Sequence, residues 1–85
     1  MATILVIDDE QSIRGLLKGV LEKAGHRVLE AEDGRKGLTL YQKEHVDLVI
    51  MDLLMPETDG LEATLQLTRE YLDAKVIAIT GAQGD

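Results

Sequence analysis

The chain has 85 residues, 45% hydrophobic and 29% charged, which suits one small soluble domain with a modest core and excludes a disordered tail or a fibrous repeat. It contains no Cys, Phe or Trp, so a disulfide framework, a thiolate metal site and a cysteine nucleophile are excluded together, and Leu, Ile, Val and Ala must fill the interior. The net charge of −7 gathers in the second half: residues 1–43 carry seven basic and seven acidic groups, residues 44–85 two and nine, a balance that argues against binding a nucleic-acid backbone. The start, MATILVIDDE, lacks the basic region and small-residue cleavage site of a signal peptide, and no apolar run approaches the ~18 residues of a membrane span. A reducing cytoplasm is the expected location.

Residues 3–8, TILVID, are apolar without alternation, as in a strand covered on both faces of a parallel sheet. From Gln11 to Ala24 the residues Ile13, Leu16, Leu17, Val20, Leu21 and Ala24 form one helical stripe, and Gly25 is placed to end it in a left-handed conformation. RVLEA, residues 27–31, predicts a second strand nearer the sheet edge, with Asp33-Gly34 as the turn after it. A second helix follows over about Arg35–Glu44, with Leu38, Leu40 and Tyr41 as its large apolar groups. The third strand is predicted over Val46–Met51, and Asp59 is placed to cap a third helix carrying Leu61, Leu65, Tyr71 and Leu72. KVIAIT, residues 75–80, predicts a fourth strand. Alternating strands and helices indicate an α/β fold with a parallel sheet and right-handed crossovers, in one domain over residues 1–85.

Ligands of such sheets sit beyond the carboxyl ends of the strands, near the point where strand order reverses. There the first strand ends in Asp8-Asp9-Glu10, the third in Asp52 and the fourth in Thr80. Crowded carboxylates repel one another, so without a cation at least one should hold its proton to an unusually high pH. A hard divalent ion relieves that cost, and one or two carboxylates with a carbonyl and waters suit Mg²⁺. Phosphoryl transfer onto a carboxylate uses such a set, and Asp52 suits the nucleophile. The plainer alternatives are that Asp8, Asp9 and Glu10 cap the first helix, that Asp52 is a turn acid and that Thr80 is an ordinary strand residue. Gly15 and Gly19 are expected to be close-packing sites in the first helix. Met51, Met55, Tyr41 and Tyr71 are expected in packing, and His26 and His45 have no partner at ligand spacing.

ILVIDDE, DLVIMDLLMPETDG and VIAIT, in that order and spacing, resemble the receiver domain of bacterial two-component response regulators over Thr3–Gly84, and D-x-x-M-P-x-x-D-G is a specific signature. The resemblance implies a flavodoxin-like doubly wound sheet of strand order 2-1-3-4 with three helices. It implies that Asp52 is the phosphoacceptor and Thr80 the switch hydroxyl. Asp9 would be a direct Mg²⁺ ligand, Asp8 a ligand through water and the Leu54 carbonyl another ligand, with Pro56 and Gly60 shaping the loop. The phosphoryl donor would be a sensor histidine kinase or phosphotransfer protein.

The family's domain continues through a fourth helix, a fifth strand ending in a Lys, and a fifth helix. The Lys residues here are 18, 23, 36, 43 and 75, and Lys75 stands at the wrong end of its strand. The expectation is a shortened form or part of a longer protein, impaired in switching by itself and self-associating or exchanging segments through the open fourth-strand edge. Other functions fit the residues less well. An aspartyl phosphatase resembles D-x-D, but position 54 is Leu; a nucleotide or flavin site wants a glycine-rich first loop, and DDEQS offers negative charge. An interaction module that is never phosphorylated is the remaining alternative.

Overall fold

A computed structural model of the chain describes residues 1–52, 60–71 and 73–79, with the backbone alone for 60–64. Along it alternate β1 (Thr3–Ile7), α1 (Gln11–Lys23), β2 (Arg27–Ala31), α2 (Gly34–Lys43), β3 (Leu48–Asp52), α3 (Gly60–Glu70) and β4 (Val76–Ile79). Every strand pair is parallel and the sheet order is β2-β1-β3-β4, the order the receiver resemblance implies. After β2 the chain crosses to the other side of β1, so strand order reverses between β1 and β3.

β1 is buried along its whole length because α1 covers one face and α2 the other. Leu5, Ile7, Ala31, Val49, Met51 and Leu67 form the core beneath α2 and α3, while Ile4, Val6 and Val28 pack with Leu17 and Leu21 of α1. Each fully buried aliphatic side chain contributes about 1.5–3 kcal/mol. α1 ends where the sequence predicts: Gly25 takes φ 97°, and its N–H donates to the Glu22 carbonyl at 2.9 Å. α2 begins on Asp33, whose Oδ1 accepts the Lys36 N–H at 2.8 Å. Tyr41 and Tyr71 pack as expected, ring centroids 5.0 Å apart.

Several expectations need correction. Within the α1 stripe only the ridge Ile13, Leu17 and Leu21 is half-buried; Leu16, Val20 and Ala24 are exposed, because α1 packs over β1 and β2 and a single helix has one contact ridge. Among the described side chains of α3 the buried leucine is Leu67, at 1% exposure, whereas Leu65 is 52% exposed. Gly15 and Gly19 are not close-packing sites: a Cβ on either would meet nothing within 4 Å. That role belongs to Gly37 of α2, where a Cβ would run into the Ile7 side chain, with Cγ1 2.8 Å away. β3 starts at Leu48 instead of Val46, since Asp47 is held at its entrance by the Thr3 N–H, 2.8 Å from Oδ2. The cap expected from Asp59, and the residues Leu54, Met55, Pro56, Leu72 and Thr80, lie outside the described residues, as do the side chains of 61–64.

Candidate functional site

Ile7 and Met51 are Cα partners in the β1–β3 ladder, so the following residues, Asp8 and Asp52, leave adjacent strands at the same rim and at the point of strand reversal. Asp9 joins them from the turn before α1. The three side chains each bring a carboxylate oxygen within 4.8 Å of the others; Asp8 and Asp52 are buried and Asp9 is exposed. β4 reaches this rim at Ile79, the Cα partner of Asp52.

The turn is built from Asp8. Its N–H donates to the Ala31 carbonyl at 3.1 Å, and its Oδ1 accepts the Glu10 N–H at 2.9 Å. That geometry counts against the helix-cap alternative: Glu10, at the N-cap, makes no side-chain cap bond, and the first turn of α1 contains no acid. Burial pushes the Asp8 carboxyl above its ordinary value. The Glu10 N–H works against this, while the neighbouring charges of Asp52, Asp9 and Glu10 push the same way as burial.

Three converging carboxylates of which two are buried, with repulsion stored among them, form a hard-oxygen donor set that fits Mg²⁺. His26 and His45 are elsewhere, as expected. His26 Nδ1 accepts the Ala2 N–H at 3.1 Å, and His45 Nε2 lies 3.0 Å from Asp47 Oδ1. His45, Asp47 and Lys75 line an open cleft with Tyr41 and Asp73 before β3 and β4, at the end of the sheet away from the acids.

Arg14 is a member of the site's surroundings that sequence reasoning missed. Its Nη1 donates to the Asp8 carbonyl at 2.6 Å and its Nε to Glu30 Oε1 at 3.4 Å. The available signal was a cation on α1 beside the half-buried Ile13, where an amphipathic pattern alone reads it as a solvated charge.

Residues 4–85 match the response regulator receiver domain family, and the chain belongs to that family. Among curated relatives it is 46% identical over 79 residues to Protein PilH of Pseudomonas aeruginosa, covering 93% of this chain and 63% of PilH. Among solved structures it is similar to the response regulator TrrA of Thermotoga maritima in complex with Mg²⁺-BeF, with a TM-score of 0.92, 40% identity, and coverage of 98% of this chain and 72% of that one. TrrA is also matched in a crystal structure in which it is in complex with the histidine kinase ThkA; there the TM-score is 0.89 and the identity 39%, covering all of this chain and 76% of that one. The chain thus spans under two thirds of PilH's length. It is a signalling domain of the two-component type.

Proposed function

We propose that this domain accepts a phosphoryl group on Asp52 from a histidine kinase or phosphotransfer protein in the cytoplasm. The convergence of Asp8, Asp9 and Asp52 on one rim carries the reading, with the likeness to TrrA in its Mg²⁺-BeF complex in support. Among described residues no helix is long and apolar enough to cross a membrane.

Asp52 and Asp9 would hold Mg²⁺ directly with the Leu54 carbonyl, and Asp8 would hold it through water. An ion held there would supply positive charge to offset the negative charge of the phosphate oxygens. A carboxylate oxygen of Asp52 forms a bond to phosphorus as the donor's P–N bond, or P–O bond for a small phosphodonor, breaks; the electron pair stays with the leaving group. Asp8, buried beside Asp52, supplies negative charge that the cation must balance, so phosphoryl transfer is coupled to ion binding. Thr80 supplies the hydroxyl that turns toward the phosphoryl group. The domain assists its own phosphorylation without turning over an external substrate.

Incubation with acetyl phosphate and Mg²⁺ should give an acid-stable, hydroxylamine-labile label. No label, or one that survives Asp52→Asn, overturns the reading.

A second reading is an interaction module that is not phosphorylated. It draws on exposed apolar groups: Leu16 and Val20 on α1, and Ile77 on the edge strand β4, through which copies of the chain would associate. Beryllofluoride binding in the presence of Mg²⁺ favours the first reading, and concentration-dependent sedimentation without such binding favours the second.

A further inference from the structure

Asp8 is tied at three atoms to three parts of the fold. Its N–H reaches Ala31 of β2, its Oδ1 takes the Glu10 N–H within the turn, and its carbonyl takes the Arg14 Nη1 from α1. The first two bonds hold the end of β1 and the start of the turn. β1 ends at Ile7, so the Asp8 carbonyl lies past the strand, and Arg14 supplies a donor there at 2.6 Å. The guanidinium is itself held. Its side chain is only 13% exposed, and its Nε faces Glu30, which Lys18 also approaches at 3.5 Å. A planar fork can serve a carbonyl and a carboxylate at once in a fixed relation; an ammonium has one donor atom and no such plane.

We infer that Arg14 is a positioning residue for the acidic pocket: anchored by Glu30, it clamps the Asp8 carbonyl and holds the turn in the form that aims Asp8 and Asp9 at Asp52. This rests on the proposed Mg²⁺-dependent function and extends it to a residue that contributes no ligand.

The sign of one measurement separates this role from simple electrostatics. Arg14 carries positive charge near a cation site, so by charge alone its removal should tighten Mg²⁺ binding. Positioning requires the reverse, because carboxylates no longer held in place bind the ion less well. Loss of such a supporting partner typically weakens metal affinity by roughly 10-fold or more.

The test titrates the 85-residue chain with Mg²⁺ and follows the Asp9 and Glu10 amide resonances in ¹⁵N–¹H spectra, with thermal melting in chelator as a measure of the metal-free fold. Arg14→Ala should weaken Mg²⁺ binding by about that factor. Arg14→Lys, which keeps the charge and loses the fork, should recover little of it. Affinity equal to or tighter than wild type in a dispersed Arg14→Ala spectrum overturns the inference, as does full rescue by Arg14→Lys. Should Arg14→Ala fail to fold, Arg14→Met, which keeps the aliphatic stem and removes the charge and the fork, serves: weaker binding supports the clamp, and unchanged or tighter binding overturns it. A wild-type chain that binds no Mg²⁺ overturns the proposed function and the clamp with it, whereas wild-type binding with an indifferent Arg14→Ala removes the clamp alone.

Discussion

Ile7 of β1 pairs in register with Met51 of β3, and both are buried. This one pairing sets the distance between the acids that follow, because the next residue of each strand is Asp8 or Asp52. A shift by one position would turn the acids to opposite faces and bury neither where the other is. Fixed side by side, they make the metal-free pocket a place of stored repulsion.

Burial of Asp8, and after it the neighbouring charges of Asp52, Asp9 and Glu10, predict the behaviour of Asp8→Asn. Asp8 titrates above its ordinary value in the folded chain, so the fold disfavours its ionised form; that cost is present at neutral pH and is relieved as pH falls through the raised value. Asn keeps the shape and an oxygen for the Glu10 N–H while removing the charge. In chelator the variant should melt a few degrees above wild type, and Mg²⁺ should raise its melting temperature less than it raises that of wild type. Melting below wild type in chelator would contradict the argument.

Glycine substitutions should divide by position. At Gly37 a Cβ meets Ile7, which is 2% exposed and cannot swing into solvent. Overpacking of that kind costs about 1–3 kcal/mol, more than the gain of up to ~1 kcal/mol in helix propensity, so Gly37→Ala should destabilise. Gly15→Ala and Gly19→Ala enter open space on α1 and should each stabilise by about 0.5–1 kcal/mol. Urea unfolding of the three variants checks the signs.

Leu67 and Leu65 provide the matching test for α3. Leu67→Ala should cost about 2–5 kcal/mol, since it empties a site at 1% exposure, while Leu65→Ala, at 52% exposure, should stay within about 0.5 kcal/mol. Denaturant midpoints at equal slope would show the difference; equal costs would mean that α3 seats on the sheet by another face.

Asp47 should govern acid stability at the opposite end of the sheet. The Thr3 N–H, and then His45, hold its carboxyl below the ordinary 3.8. A depressed acid contributes stability that is fully present above its unfolded value and is lost as pH falls through the lower folded value. Wild type should therefore exceed Asp47→Asn in stability at neutral pH, and the gap should close as pH drops below 3.8. Paired denaturant curves across that range measure it; a gap independent of pH would exclude the carboxylate as its source.

Much of this was present in the local pattern of residues. An unbroken, β-branched apolar run such as TILVI is what a strand buried on both faces needs, and Gly25 ends α1 as the pattern requires. Acids placed straight after apolar runs are legible too, and they put Asp8, Asp9 and Asp52 on one rim, as the assembled sheet does. Periodicity could not choose between Leu65 and Leu67, or between the two ridges of the α1 stripe, because it describes a helix and not what the helix rests on. Nor could it show that Gly37 is the crowded glycine, or that Arg14 reaches back to Asp8 and across to Glu30. Those facts depend on contacts between elements distant in the chain, and only the assembled sheet, with β1 between β2 and β3, brings the partners together.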